Sequence, residues 1–571
     1  MSNKTDKAKE KNVRRMVIKE LPHFWIYSVL SAFMALALQL IGLIPPILMQ
    51  KIIDIAIPSK NIRSILIAIL WFCAIPLIST VLTTLYKYIL AISCRKFGQQ
   101  LSIKGFQNLI YQPISYFDHT NSSELATYCR NEAMSYVIFW VIDIPQLIAT
   151  ILGGLVVICY VTYLSWLIGL FLLLYIPFSF FPSNHFATKV KSFSERIIEN
   201  NAAMNQIVND TFKGIKFVKS MVLEKIQVKK LETVNADSVS IWSKVSVYDN
   251  LSGLWVDNFS DTIFTGVTFG IAAVLVVMDQ MSLGMLIIIL NYTAKFLSAA
   301  KQLTHTNYHF KSQLGTYDRL FDILLMNPVE GGGTEPFQFQ NSICFRDVFF
   351  SYEEERGDIL KGLELDIRQG EWLGIMGHSG AGKTTIFDLL LQFYQPRSGR
   401  VLVDGRDLQN IDCRDLRQKI TKVSQDTFLF PGTIRENLQM VSPEATESEL
   451  WSVLDSVCLK EFVQRLADGL DTAIGENGLL LSGGERQRLG LAQGLLRKSK
   501  VILLDEVTAN IDVEAENMIM HILSSLQKER RLTILSVSHR LDFLACTDRI
   551  IVLGDGKVQQ ETIYARLKDR E

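Results

Sequence analysis

The fold of this chain is decided by the stretch Gly377-His378-Ser379-Gly380-Ala381-Gly382-Lys383-Thr384. An apolar run at 372–376 is typical of a buried strand, and the apolar spacing of 385–391 is typical of a helix. Strand, glycine-rich loop and helix in this order predict a phosphate-binding loop, because backbone N–H groups then converge on an anion at a helix N-terminus. Lys383 would reach the β- and γ-phosphates of a nucleoside triphosphate, and the Thr384 hydroxyl would ligate Mg²⁺. The alternative is a chance glycine-rich turn, against which the full spacing argues.

Composition limits the class of protein to which this chain can belong. Its 571 residues leave room for several domains, and a hydrophobic fraction of 49% is high for a soluble enzyme. The formal net charge is zero, so no electrostatic footprint supports a nucleic-acid partner. The eight cysteines are scattered without a CxxC pair, which argues against a zinc site or a disulfide framework.

The first half of the chain contains six segments of the length and apolarity needed to cross a membrane. Spanning a ~30 Å hydrocarbon layer takes roughly 20 apolar residues. The candidate spans are 23–49, 62–90, 136–160, 164–181, 254–277 and 283–303. Because their number is even, both ends of this domain are predicted to face the same side of the membrane.

Two long polar stretches, 93–135 and 184–249, separate spans two and three and spans four and five. They are rich in Lys and Arg, as is the N-terminal tail, which predicts that all three are cytosolic and that both termini lie in the cytosol. Their helix-like apolar spacing and scarcity of Pro and Gly predict that they continue the membrane helices. The predicted domains are a cytosolic tail at 1–20 and a six-helix membrane domain at 21–325.

Four ionisable residues fall inside the predicted spans: Asp143, Asp257, Asp261 and Lys295. A charge in the bilayer is costly, so each should face a partner helix or a water-filled cavity. One interpretation is a substrate cavity whose aspartates favour cationic groups. The alternative is pairing between helices, or placement at the headgroup boundary.

A second domain is predicted at 341–571, after a glycine-containing linker at 326–340. The apolar strand 501–504 ends in Asp505, which could hold Mg²⁺, and Glu506, which could polarise the attacking water as a general base. His539 also follows an apolar strand and could contact the γ-phosphate, although a histidine at a strand end, taken alone, is more often structural than catalytic. Gln425 offers a neutral oxygen to Mg²⁺, and Tyr352 could stack on a base ring.

The segment 481–488 contains a second anion-binding pattern, a Ser482-Gly483-Gly484 turn that opens a helix. One domain seldom needs two such sites for a single γ-phosphate. We therefore expect this turn to face the nucleotide held by another copy of the chain, or by a related chain, across a symmetric interface.

These motifs resemble the nucleotide-binding domain of ABC transporters, and with the six preceding spans nearly the whole chain resembles an ABC exporter half-transporter of the bacterial peptide, lipid or multidrug type. The resemblance implies a membrane all-α domain followed by an α/β P-loop NTPase domain, with ATP and Mg²⁺ as cofactors. The residues expected to bind the nucleotide are Tyr352, Gly377, His378, Ser379, Gly380, Ala381, Gly382, Lys383, Thr384, Thr385, Gln425, Asp505, Ser482, Gly483, Gly484 and Glu485, of which Thr384, Gln425 and Asp505 are the expected Mg²⁺ ligands. Glu506 and His539 are the expected catalytic residues.

The sequence departs from the family pattern at three places. Glu485 stands where the family usually has Gln, residues 509–512 differ from the commoner Ser-Ala-Leu-Asp, and Val507 replaces a small residue or Pro. None of these changes removes a group expected to touch phosphate, Mg²⁺ or water, so the sequence predicts a competent hydrolytic site.

The resemblance implies ATP-driven export across the cytoplasmic membrane by alternating access, in a dimer with a second copy or a related half-transporter. Short coupling helices are expected at 111–117 and 211–218. The substrate is expected to be a peptide or amphiphile, with a lipid flippase or a multidrug exporter as alternatives. An ATP-gated channel or regulator on the same fold is the alternative from another class.

Overall fold

The structure is a computed structural model that describes residues 24–118, 120, 125, 132–327, 332–353, 357–475, 478–508, 511–538, 540 and 542–565. The chain forms two compact units. The first comprises residues 1–112 and 120–328, and the second comprises residues 113–119 and 329–571. The predicted tail at 1–20 lies outside the described residues.

The first unit is helical, and within its described residues six helical segments are long and apolar enough to cross a membrane, as predicted. These segments are Phe24–Ala56, Ile62–Ile110, Ala133–Leu164, Trp166–Val190, Glu224–Val277 and Leu283–Leu303. The α-helices of this unit are α1 (Phe24–Ile41), α2 (Ile44–Lys51), α3 (Ile62–Ile110), α5 (Ala133–Ile138), α6 (Ile144–Leu164), α7 (Trp166–Leu173), α8 (Tyr175–Lys213), α9 (Ile215–Ser220), α10 (Glu224–Gly253), α11 (Asp261–Val277) and α12 (Leu283–Leu325). Helix α4 (Ile114–Asp118) follows α3 in the chain but belongs to the second unit.

Several of these helices are much longer than a membrane is thick. Helix α3 has 49 residues, which at ~1.5 Å per residue is about 74 Å. Helix α8 has 39 residues and α10 has 30, so most of the polar stretch 184–249 is helical. The prediction that this stretch continues the membrane helices is therefore confirmed.

Within the described residues of the spans, three segments are π-helical, and each contains an aspartate. They are Ile52–Ala56 with Asp54, Phe139–Asp143 with Asp143, and Leu254–Ser260 with Asp257.

The second unit is built on two sheets. The larger sheet has the strand order β10-β9-β3-β8-β7-β6, in which β9, β3, β8, β7 and β6 run parallel, and the smaller antiparallel sheet has the order β2-β1-β4-β5. The strands are β1 (Ser342–Phe350), β2 (Leu360–Arg368), β3 (Trp372–Gly377), β4 (Ser398–Val403), β5 (Arg406–Asp407), β6 (Ile420–Val423), β7 (Val501–Asp505), β8 (Thr533–Val537), β9 (Arg549–Gly554) and β10 (Lys557–Thr562).

Helices cover the parallel sheet, which explains why every residue of β7 and of β8 is buried. Besides α4, the described α-helices of the second unit are α13 (Lys383–Leu390), α14 (Cys413–Lys419), α15 (Ile434–Val441), α16 (Glu447–Ser456), α17 (Lys460–Arg465), α18 (Gly483–Leu496) and α19 (Val513–Arg530), of which α13, α14 and α18 contact strands of this sheet. Because β3, β7 and β8 are parallel neighbours, their carboxyl ends meet at one edge of the sheet. Ligands of open α/β sheets bind at this edge.

The predicted linker at 326–340 is only partly a linker. Helix α12 ends at Leu325. Phe337 and Phe339 are already buried in the core of the second unit, and Glu335 bridges to Ile411. Apolar side chains in the second part of the segment therefore attach it to the core of the second unit before β1 begins.

Candidate nucleotide-binding site

The predicted phosphate-binding loop joins buried strand β3 to helix α13. Gly380 and Gly382 have φ angles of 81° and 96°, a backbone region that favours glycine. At Gly382 a Cβ would also lie 2.7 Å from the side chain of Leu360. Glycine at this position therefore lets the backbone turn directly into the N-terminus of α13, which is the arrangement needed to bind phosphate.

Lys383 is folded back over the loop. Its Nζ donates to the carbonyl oxygens of Gly377 at 2.6 Å and His378 at 3.4 Å, and its side chain is largely buried. Burial lowers the pKa of Lys383, whereas the charges of Glu506 and Asp505 act in the opposite direction. The ammonium is thus held where it can exchange loop carbonyls for phosphate oxygens.

Asp505, at the carboxyl end of β7, lies beside the loop. The Thr384 hydroxyl donates to Asp505 Oδ1 at 3.4 Å, and Lys422 Nζ lies 3.8 Å from Asp505 Oδ2 and 2.9 Å from Asp388 Oδ1. Burial raises the pKa of Asp505, and Lys422 and the Thr384 hydroxyl partly offset this effect. The hydroxyl and carboxylate are hard oxygen donors side by side, which is the donor set that Mg²⁺ prefers.

Glu506 leaves the strand in a left-handed conformation. Its φ is 51°, and its backbone N–H donates to the carbonyl oxygen of Val537 in β8 at 3.1 Å. Non-glycine residues in this conformation are uncommon and are concentrated at functional sites. The turn separates the Glu506 side chain from the buried face of β7, and the residue is half-buried.

Tyr352 follows β1 and remains 43% exposed. Its hydroxyl donates to Asp388 Oδ2 at 2.9 Å and lies 3.3 Å from Thr385 Oγ1, at the start of α13. Tyr394 packs edge-on against the ring at 4.9 Å. Tyr352 is therefore tethered to the same helix that begins at the phosphate loop, with part of its surface open to a base.

Gln425 is exposed just after β6, and the buried Gln487 of α18 donates to its backbone oxygen at 3.2 Å. His539 lies outside the described residues. Its neighbour Arg540 pairs with the buried Glu516 at 2.7 Å.

The second anion-binding pattern forms the N-terminus of α18. Ser482 is the N-cap, and it forms a capping box with Glu485. The Ser482 N–H donates to Glu485 Oε2 at 2.7 Å, and the Glu485 N–H donates to Ser482 Oγ at 3.3 Å. Ser482 and Gly483 are exposed, so the turn is presented on the surface of the domain. Asp512 similarly caps α19 through the N–H of Ala515 at 2.8 Å.

Sequence reasoning did not identify two side chains of this site, Lys422 and Gln487. Lys422 is the charged residue of strand β6, and a charge within a strand of this sheet could have marked it as a site residue. Gln487 carries no such signal, because its partner Gln425 lies 62 residues away.

The four intramembrane charges do not form one group. Lys301 of α12 pairs with Asp261 at 2.5 Å and with Asp257 at 3.5 Å, and Tyr175 donates to Asp261 at 2.9 Å. Lys295 instead donates to the carbonyl oxygen of Gly42 at 2.7 Å, and Asp143 ends a π-helical segment. These contacts favour helix pairing for Asp257 and Asp261, while a role in a substrate cavity stays a prediction.

Comparisons with known proteins agree with this arrangement. The family described as ABC transporter transmembrane region matches residues 28–300, and the family described as ABC transporter matches residues 360–509. A multidrug resistance ABC transporter ATP-binding and permease protein of Lactococcus lactis is 30% identical over 487 residues, which are 84% of this chain and 81% of that protein. An ATP-dependent lipid A-core flippase of Nitrosococcus oceani is 28% identical over 564 residues, 98% of this chain and 93% of that protein.

A solved structure has the same fold. A bacterial Atm1-family ABC exporter with ATP bound covers 96% of both chains with a TM-score of 0.85 and 21% identity. The predicted order of a six-helix membrane domain and an α/β P-loop domain is therefore confirmed. This chain belongs to the ABC transporter family and is a multi-pass membrane exporter driven by ATP hydrolysis.

Proposed function

We propose that this chain exports an amphiphile or peptide across the cytoplasmic membrane as half of a dimer, by alternating access, with both termini in the cytosol. The observation that carries the proposal is the convergence of Lys383, Thr384 and the paired carboxylates 505–506 at one edge of the parallel sheet. Such a site binds ATP with Mg²⁺ and hydrolyses it.

The residues around Asp505 fit a magnesium ion. Thr384, Asp505 and the exposed Gln425 would hold Mg²⁺ directly or through water, and the ion would supply charge neutralisation between the β- and γ-phosphates. Lys422 already compensates Asp388 and lies within reach of Asp505, so ion binding would relieve the remaining buried negative charge.

Glu506 is proposed as the general base. Its left-handed turn directs the side chain away from the strand, while the N–H bond to Val537 fixes its backbone. A carboxylate one residue beyond the metal-binding aspartate can accept a proton from a water aligned with the γ-phosphate. His539 is proposed to orient this water.

The exposed Ser482 turn supports a composite site. An exposed helix N-terminus presents positive potential to an anion approaching from outside the domain, and the Glu485 carboxylate of the capping box neutralises this potential only in part. In the proposed dimer this anion is the γ-phosphate held by the partner's phosphate loop, so binding of ATP joins the two domains and hydrolysis releases them.

The substrate assignment depends on the relatives. One is named as a lipid A-core flippase, and others as a multidrug resistance transporter and an alpha-hemolysin translocation protein of Escherichia coli. The lipid A-core and the alpha-hemolysin in these names support an amphiphile or a peptide as the substrate of this chain.

Transport in inverted membrane vesicles tests the proposal. We expect ATP-dependent uptake of a fluorescent lipid or peptide, and no uptake with a non-hydrolysable ATP analogue. A channel gated by ATP would instead equilibrate the probe without accumulating it, and that result would contradict active export.

Glu506→Gln provides the matched control for this experiment. The amide retains the size of the side chain but cannot accept the proton of the attacking water. We expect ATP binding within about threefold of wild type and a turnover at least ~100-fold lower, since a positioned base contributes 10²–10⁴-fold. Near-normal ATPase activity would refute the assignment of the base.

A further inference from the structure

A break in the first membrane span brings a lysine into the interior of the membrane domain. Helix α1 ends at Ile41 and α2 begins at Ile44, with Pro at its first positions. Pro46 has no N–H and cannot donate to the carbonyl oxygen of Gly42 four residues earlier. Lys295 Nζ of α12 donates to this oxygen instead, at 2.7 Å.

The next carbonyl oxygen at the break is satisfied by a neutral group. The Tyr292 hydroxyl, one helical turn from Lys295 on α12, donates to the carbonyl oxygen of Leu43 at 2.8 Å. A neutral donor therefore suffices to satisfy a carbonyl oxygen at this break. The positive charge of Lys295 is not required by the backbone, so its presence calls for a second explanation.

Lys295 lies deep in the span. It is twelve residues along α12 from Leu283, about 18 Å at ~1.5 Å per residue, or past the middle of a ~30 Å hydrocarbon layer. A charge at this depth is costly unless it is paired or hydrated. In the described part of the chain Lys295 has no carboxylate partner, although its side chain is only half-buried.

The neighbouring lysine on α12 differs from Lys295 in this respect. Lys301 lies against two carboxylates, and the Tyr175 hydroxyl donates a further hydrogen bond to Asp261. Two of the three aspartates that suggested a cationic substrate from the sequence, Asp257 and Asp261, are thus compensated by Lys301 inside the protein. Lys295 is an intramembrane charge whose counter-charge must come from elsewhere.

We propose that Lys295 binds the anionic headgroup, a phosphate or a carboxylate, of the amphiphile that this exporter moves. The ammonium has two further N–H donors beyond the one used by Gly42, which is enough for a charge-assisted hydrogen bond to such a group. This inference rests on the proposed export of an amphiphile and specifies the chemical class of its headgroup.

Binding of dioctanoyl phosphatidic acid to the purified full-length chain in a neutral detergent tests the inference. Dioctanoylglycerol has the same acyl chains without the phosphate, and inorganic phosphate has the anion without the chains. We expect measurable binding of the phosphatidic acid and at least tenfold weaker binding of both comparison ligands. Equal binding of inorganic phosphate or of dioctanoylglycerol would overturn the proposal.

Variants at the break separate charge from structure. Lys295→Gln retains a donor for Gly42 and removes the charge, so we expect about tenfold weaker binding of phosphatidic acid, the loss typical of a hydrogen bond to a charged group. Lys295→Arg should bind within about threefold of wild type. Tyr292→Phe removes a neutral hydrogen bond from the same break and should bind as wild type does. Unchanged affinity in Lys295→Gln, or an equal loss in Tyr292→Phe, would overturn the proposal.

Two further measurements separate the lipid-binding result from the folding of the nucleotide-binding domain and from transport activity. ATP-induced thermal stabilisation of each variant reports that the nucleotide-binding domain is folded. The Glu506→Gln chain should bind phosphatidic acid with unchanged affinity, because the site lies in the membrane domain. In the wild-type chain, absence of transport with phosphatidic acid binding present would count against the proposed export cycle, whereas absence of phosphatidic acid binding with transport present would count against the role of Lys295.

Discussion

At the residue scale, the buried carboxylate of Asp505 carries a cost in the absence of a ligand. Burial raises the pKa of Asp505 above its usual range, with Lys422 and Thr384 only partly compensating. Because the pKa of Asp505 is higher in the folded state than in the unfolded state, folding is favoured by the protonated carboxyl group. This contribution to the free energy of unfolding is fully present below the unfolded pKa of about 3.9 and is lost as the pH rises through the folded pKa. At neutral pH the ionised side chain therefore lowers the free energy of unfolding.

Asp505→Asn should remove this cost and the metal site together. We expect the ligand-free variant to unfold at a temperature equal to or a few degrees above that of wild type at pH 7, with the difference shrinking as the pH falls toward about 4. Stabilisation by ATP and Mg²⁺ should be lost. Thermal unfolding with and without ATP–Mg²⁺ across this pH range measures both effects, and a ligand-free variant far less stable than wild type would contradict the argument.

The second prediction at this scale concerns Glu485. Its carboxylate lies at the N-terminus of α18, where it partly neutralises the positive potential that the proposed composite site uses to hold phosphate. Glu485→Gln retains an oxygen to accept the Ser482 N–H, so the capping box is preserved while the charge is removed. We expect the KM for ATP in steady-state ATPase assays to fall by about two- to fivefold, given 0.3–1 kcal/mol for a charge at a helix end.

This effect should shrink at high salt, because Glu485 is only partly buried and its charge is therefore screened by salt. Glu485→Ala, which breaks the box, is the comparison variant. A KM that rises in Glu485→Gln would show that the carboxylate assists nucleotide binding.

Site residues that belong to a local motif could be predicted from the sequence, whereas those whose position depends on how strands pair or helices pack could not. Lys383 and Thr384 follow directly from the loop pattern, since the backbone of eight consecutive residues determines their position. Lys422 reaches Asp505 only because β6 pairs in parallel with β7, with Lys422 opposite Leu503. Likewise the pairing of Asp261 with Lys301 depends on how α11 packs on α12, which apolar periodicity does not specify.

At the element scale, helix α4 is the short segment of the second unit that comes from between two membrane helices. Asp118 at its end accepts a hydrogen bond from the Tyr394 hydroxyl at 2.6 Å. Tyr394 in turn contacts Tyr352, the residue expected to stack on the base. A continuous path of side chains thus joins Tyr352 to α4.

Tyr394→Phe should weaken this path without removing the ring contact to Tyr352. We expect ATP affinity to stay within about twofold and substrate-stimulated ATPase activity to fall about three- to tenfold, the range for one exposed hydrogen bond to a charged acceptor. Asp118→Asn, which still accepts a hydrogen bond, is the control and should retain most of the stimulation. Full stimulation in Tyr394→Phe would exclude the path from coupling.

Short helices lie near both predicted coupling segments, displaced by a few residues, and their coupling role stays a prediction. Instead of 111–117 the first is Ile114–Asp118, since Pro113 disfavours helical geometry at the preceding residue. In place of 211–218 the second is Ile215–Ser220, because α8 continues to Lys213 and breaks at Gly214. The sequence predicts the existence of such helices better than their first and last residues, because single residues such as Pro113 and Gly214 determine where a helix begins or ends.

At the scale of the whole molecule, the proposed dimer predicts complementation between two inactive chains. Lys383→Ala removes the phosphate-binding ammonium, and Ser482→Arg blocks the turn at the start of α18. Mixed dimers contain one site with an intact phosphate loop from one chain and an intact turn from the other. Co-expression should therefore restore up to about half of the ATPase activity per mixed dimer, whereas each variant alone should have almost none.

Differently tagged chains, purified in tandem, isolate the mixed dimers for this assay. A mixture as inactive as its parents would contradict composite sites. Full activity of either variant alone, or of wild-type chains diluted to monomers, would contradict the dimer as the working unit.

The wide turns at Ile52–Ala56, Phe139–Asp143 and Leu254–Ser260 hold one residue more than a regular helical turn. If such a π-helical segment moved by one turn along the helix or became α-helical, the helix beyond it would rotate by about 100° and shift along its axis by about 1.5 Å while staying helical. The carboxylates of Asp54, Asp143 and Asp257 lie on these segments, so each would swing to a new neighbour. The long helices of this exporter thereby gain three positions at which one part of a helix can rotate relative to the other, and each position contains an aspartate.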